Sequence, residues 1–206
     1  MSSIKLKHSG GNSVSIAAPS SNPASNRTIT VPSTADGTLL TTTNPRTGNI
    51  IQVVQATKTD TETVSVGSQG VYQYTNLSAS ITPNASSSKI LVIMHLSLCT
   101  DAEEKMHYGV QRTIGGSGAT SIGIGDAAGN RQRYAGGQYT YANPVTTVNY
   151  SFLDSPSTTS ACVYYPIFGH DSSVTKTFHI NRTSGDGDSG QNARYMSSII
   201  LQEVAG

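Results

Sequence analysis

KILVIMHLSL at residues 89–98 and MHYGVQRTI at residues 106–114 are the two stretches whose patterns decide the fold. The first is apolar almost without interruption, which suits a central strand covered on both sides. The second alternates with a period of two: Met106, Tyr108, Val110 and Ile114 face a core, and Arg112 is the exception on that face. Working outward, IIQVVQA (50–56), VYQYTNLSASI (71–81), VTTVNYSFL (145–153), ACVYYPIF (161–168), VTKTFHINR (174–182) and RYMSSIILQEV (194–204) are further strand candidates, separated by Gly, Ser, Asn and Asp clusters. About eight strands at this spacing predict an all-β chain whose main domain is an antiparallel β-sandwich of jelly-roll type. No long amphipathic helix and no repeat of solenoid length is visible. Residues 101–105 (DAEEK) are expected to close a hairpin between the two deciding strands. The Gly-rich stretch 115–137 reads as a long excursion at one end of the sandwich, with one short strand near residues 120–123. Loops held by a rigid scaffold are where binding surfaces usually lie.

Residues 1–45 have a different grammar. They are mostly Ser, Thr, Asn, Gly, Ala and Pro, and such a segment buries too little apolar surface to offset its ordering entropy. Three short pieces nevertheless alternate like strands: SIKLKH (3–8), NSVSIAA (12–18) and NRTITVP (26–32), with Ser9-Gly10-Gly11-Asn12 a turn signal between the first two. Their apolar positions are Ile4, Leu6, Val14, Ile16, Ile29 and Val31. The organisation expected is an extended β-rich arm over residues 1–47, ordered by other chains, and a sandwich over residues 48–206.

Composition excludes several classes. Charged residues make up 12% of the 206 and the formal net charge is +1, so nothing electrostatic favours nucleic acid or an anionic membrane. No apolar run approaches the roughly 18 residues of a membrane helix, and synthesis and assembly in a cytoplasm follow as the default. Cys99 and Cys162 sit inside apolar strands and read as reduced core thiols.

Catalytic and metal signatures are weak. The chain has no Gly-x-Ser-x-Gly elbow, and Phe168-Gly169-His170-Asp171 reads as a turn as readily as a histidine beside its acid. Asp186-Gly187-Asp188-Ser189-Gly190 begins like a calcium loop but has Gly190 where a third oxygen ligand is expected, so a solvated turn is the better reading. His95 and His107 fall on consecutive candidate strands and are placed to approach one another, with no third ligand. No catalytic, cofactor or metal site is assigned. Arg131, Arg133, Tyr134, Tyr139 and Tyr141 form an aromatic and cationic cluster suited either to carbohydrate or partner contact or to packing between subunits.

The chain resembles a known family at both ends. Ser3 to His8, Gly11 to Ile16, Asn22-Pro23, Asn26 to Pro32 and Asp36-Gly37 are similar to the N-terminal module of tailed-phage virion proteins, especially of marine cyanophages. Gly48 to Val54, Phe178 to Thr183, Asp186, Asp188, Arg194 and Ser198 to Val204 resemble the start and the last strands of the globular domain that follows it. The resemblance implies a fibre-like or capsid-decorating homotrimer, attached to the virion at tail, neck or capsid through the arm, with the β-domain projecting outward. It carries no catalytic residues, and a chain of this length fits a short fibre or capsid appendage. The alternative is a receptor- or carbohydrate-binding tail-fibre module that contacts host surface polysaccharide. A depolymerase is a third class, and its acids would come from Asp101, Glu103, Glu104, Asp154 and Asp171, mostly in predicted turns.

Overall fold

The structure, a computed structural model, describes residues 3–17, 20–21 and 45–206. The chain divides into two units, Met1–Leu39 and Leu40–Gly206. In the first, β1 (Ser3–Lys7) and β2 (Ser13–Ala17) pair antiparallel with Leu6 opposite Val14 and Ile4 opposite Ile16. Their turn is closed by the His8 amide on the Asn12 carbonyl at 2.7 Å, with Gly11 at φ 95° supplying the left-handed residue. Ile29 and Val31 lie outside the described residues.

The second unit holds β3 (Ile50–Lys58), β4 (Glu62–Val66), β5 (Val71–Gln73), β6 (Ala79–Ile81), β7 (Lys89–Thr100), β8 (Glu104–Ile114), β9 (Thr120–Ile122), β10 (Gly136–Thr140), β11 (Thr146–Asp154), β12 (Cys162–His170), β13 (Lys176–Ile180) and β14 (Ser197–Val204). Among the described residues there is no helix. The strands make two six-stranded antiparallel sheets, and the registers reduce each to four strand positions. β11 covers Ile90 to Leu98 on one edge of β7, so β14 and β13, whose registers overlap it, share the other edge end to end. β3 and β4 pair with them in the same way. In the second sheet β9 and β10 share one edge of β8, and β5 and β6 share the outer edge of β12. Numbered along the chain, the eight positions run 6-3-8-1 in one sheet and 5-4-7-2 in the other. This is the pairing of one long hairpin rolled up, the jelly roll.

Three expectations change. Residues 101–103 do not close a hairpin, because β7 and β8 belong to different sheets and the segment crosses between them. Nor is β7 covered on both sides along its length. Ile90, Val92, Met94, Leu96 and Leu98 are fully buried, while Leu91, Ile93 and His95 are half-buried on the outer face. Both faces are buried only from Ser97 onward, where the Ser97 hydroxyl donates to the Met196 carbonyl of the excursion between β13 and β14. VYQYTNLSASI splits into β5 and β6. The short β4 and the Gly-containing β10 had no strong strand pattern to announce them.

The space between the sheets is filled by side chains including Tyr74, Tyr164, Phe168 and Phe178, the last two 5.0 Å apart at their ring centroids. Arg112 does face this interior. Its guanidinium pairs with Asp154 at the end of β11, and the Tyr164 hydroxyl donates to the same carboxylate at 2.7 Å. Cys99 and Cys162 are buried free thiols, pushed up by desolvation.

Gly123 lies where the second sheet meets the edge of the first. It has φ 56°, and a Cβ there would strike the Tyr150 hydroxyl and the Phe152 ring. Strain and collision therefore add. Gly123→Ala is expected to lower stability by about 3 kcal/mol in a denaturant titration, and an unchanged midpoint would show that the edge can yield.

Candidate interaction surfaces

The outer faces of the two sheets differ. On the sheet built around β8 and β12, the segment 123–135 folds back over the surface, and Tyr165 and Ile167, which point outward from β12, are buried at 5% and 1% exposure. The anchor is a stack: the Tyr134 ring lies on His107 at 4.7 Å with 16° between planes. His107 is flanked in register by Gly137 on β10 and Gly169 on β12, and this leaves room for the ring. A Cβ at Gly169 would approach the Tyr134 hydroxyl to 3.2 Å and collide with the Gly70 carbonyl.

Hydrogen bonds hold the segment in place. The Tyr134 hydroxyl donates to Gln132 Oε1 at 2.6 Å, and Gln132 Nε2 donates to the Gln69 carbonyl at 2.9 Å. Arg133 Nε donates to the Gly125 carbonyl at 2.6 Å, and the Ala135 amide to the Tyr108 carbonyl at 3.1 Å. Gln69 sits at φ 49°, a left-handed conformation that a non-glycine residue adopts only when its surroundings impose it. Between these parts opens a cavity of about 570 Å³ lined by residues that include Gln69, His107, Asn130, Arg131, Tyr134 and Asp171. Burial holds the His107 imidazole below its ordinary range, favouring the neutral ring, and raises the Tyr134 phenol.

Of the five residues expected to form one recognition cluster, Arg131 and Tyr134 line this cavity and Arg133 is spent on its own loop. Tyr139 on β10, opposite Lys105 on β8, is not part of the lining. It packs edge-on against Tyr141 at 5.4 Å and donates to Glu103 at 3.2 Å, with the two tyrosines 47% and 55% exposed. Gln69, His107 and Asp171 arrive from distant parts of the chain and have no local signature. Beyond Arg131 and Tyr134, the trace of the site in the sequence is a set of glycines at 136, 137 and 169.

The outer face of the other sheet carries no such cover from 123–135. Register places Val53, Gln202, Leu91 and Leu153 in one row across it and Ile200 beside Ile93 in the next, with Val53 57% and Leu153 44% exposed. On the hairpin of the first unit, Leu6 and Ile16 are 60% and 58% exposed. Ile4 and Val14 share their face by register, and their side chains lie outside the described residues.

The residues weighed for chemistry have other engagements. His95 and His107 do not meet, because they lie on the outer faces of different sheets; His95 Nδ1 is 3.0 Å from Asn149 Oδ1. His170 faces the core with Nε2 3.0 Å from the Val66 carbonyl, while its neighbour Asp171 is exposed at the cavity. Asp171 pairs with Lys105 at 3.4 Å, Glu104 with Lys176 at 2.9 Å, and Asp154 with Arg112. Asp186 is drawn to Arg182 and Arg194 rather than toward Asp188.

Strand order and registers define the class: an eight-position jelly roll, an architecture shared by viral capsid domains, lectins and cupins. No family model and no curated protein matches the chain. Solved structures similar to it include that of infectious bursal disease virus, Gt strain, with TM-score 0.41 and 13% identity over 95% of this chain and 48% of that one. The Gx strain follows with TM-score 0.40 and 12% identity over 94% and 47%. This chain thus spans about half the length of those viral chains.

Proposed function

We propose that the chain is a non-enzymatic structural protein of a phage virion, a short fibre or capsid appendage that anchors through residues 1–47 and displays the jelly roll outward. The observation that carries this reading is the hairpin. A two-stranded ribbon is marginal by itself, and this one leaves Leu6 and Ile16 largely exposed on the face it shares with Ile4 and Val14. Such a face is stabilised when another chain covers it, and the likeness of these residues to phage attachment modules supplies the kind of partner. The outer row of Val53, Leu91 and Leu153 supports association between copies, with a homotrimer as the resulting form. Engagement of Asp154, Glu104 and Asp171 in ion pairs agrees with a role without catalysis.

The double variant Leu6→Lys, Ile16→Lys is expected to melt like the wild type yet to disappear from assembled particles, as should a chain lacking residues 1–45. Packaging at normal copy number would refute the anchor. By light scattering the full chain is expected to be trimeric, and Val53→Lys with Leu153→Lys should reduce it to monomers; a wild-type monomer would refute self-association through that face.

A further inference from the structure

We infer that the cavity lined by Tyr134, Arg131 and Asp171 is a binding site for a saccharide that carries a carboxylate, a uronate-type sugar. The inference concerns the purified chain and does not depend on the virion reading. Volume comes first: about 570 Å³ lies within the range of small-ligand cavities. The lining includes the stacked pair Tyr134 and His107, aromatic surface that the C–H groups of a sugar ring can contact. Burial favours the neutral His107 ring, so that part of the lining is uncharged rather than cationic.

The polar part of the lining selects the charge. Lys105 offsets Asp171 across 3.4 Å, which leaves the Asp171 carboxylate to accept from sugar hydroxyls without making the cavity anionic. Arg131 is exposed and bonds only the Ala128 carbonyl, from Nη1 at 3.2 Å; among the described residues no carboxylate pairs with it. A guanidinium fork with donors to spare matches a carboxylate in bidentate geometry. Asn130 and Gln69 add side-chain amides for hydroxyls. The site is also preorganised: the Tyr134, Gln132 and Gln69 chain of hydrogen bonds and the left-handed Gln69 fix the walls before a ligand enters.

Titration of the full chain with trimannuronate, followed by two-dimensional amide NMR, tests the assignment. Shifts are expected at Gln69, His107 and residues 130–136, weakening with added salt. Arg131→Glu, on an exposed side chain, should keep the melting temperature and weaken binding at least about tenfold; Tyr134→Ala should abolish it. Neutral mannotriose is expected to bind at least about tenfold more weakly, and inorganic phosphate alone should not reproduce the shifts. Absence of shifts at the cavity, or an unchanged affinity in Arg131→Glu, overturns the site. Equal binding of mannotriose overturns the acidic class, and equal binding of phosphate reduces the site to a plain anion contact.

Discussion

Asp154→Ala is expected to destabilise the jelly roll by about 3–5 kcal/mol, because it strands the Arg112 guanidinium inside the sandwich without a counter-charge. The two side chains are only 14% and 7% exposed, so solvent cannot replace the lost partner. The Tyr164 hydroxyl loses its acceptor in the same step, and a buried hydroxyl without a partner adds its own penalty. For a domain of this size the melting temperature should fall by about 10 °C. Removing both charges together is a different experiment. Arg112→Met with Asp154→Leu replaces the pair with apolar volume and should recover most of the loss, since buried pairs often do no better than hydrophobic replacements. A single variant as stable as the double would mean that Arg112 escapes to water.

Asn181→Ala should cost about 3 kcal/mol for a separate reason. Asn181 is fully buried where β13 ends, at the level where β3 gives way to β4. Its side-chain amide donates to the carbonyls of Lys58 and Asp60 at 2.9 and 3.0 Å, and its Oδ1 accepts from the Ser197 hydroxyl at 2.7 Å. Ser197 in turn accepts from the Ser97 amide at 3.0 Å, so one side chain ties β7 to both interrupted positions. Its φ of 59° is one that asparagine tolerates and alanine resists. Asn181→Gly relieves the backbone but not the lost bonds, so it should fall between wild type and Asn181→Ala. Hydrogen exchange of the Ser97 and Tyr195 amides should rise in both. If Asn181→Ala unfolds at the wild-type denaturant midpoint, the three segments are held without this node.

Much of the sandwich was legible because the strand signal is local. Alternation in MHYGVQRTI put Met106, Val110 and even Arg112 on the inner face, where they lie. The errors arose where a neighbour in sequence is not a neighbour in space. DAEEK looks like a hairpin loop whether the next strand pairs with the last or crosses to another sheet. The run KILVIMHLSL is equally apolar whether its outer side is covered by the protein or left for a partner. The expected recognition residues divide for the same reason: Tyr134 and Tyr139 are close in sequence, yet Tyr134 folds back with its segment onto His107 while Tyr139 stays on β10 beside Tyr141.

The sequence by itself determined an all-β chain, the inward face of MHYGVQRTI and the burial of both cysteines. All of these follow from period-two patterns and composition, which act over a few residues. Tertiary structure alone decided the 6-3-8-1 and 5-4-7-2 strand orders, the partner of Arg112 and the convergence of Gln69, His107, Arg131, Tyr134 and Asp171 on one cavity. Each of these joins positions tens of residues apart, and such contacts form only when the core that both sheets share is closed.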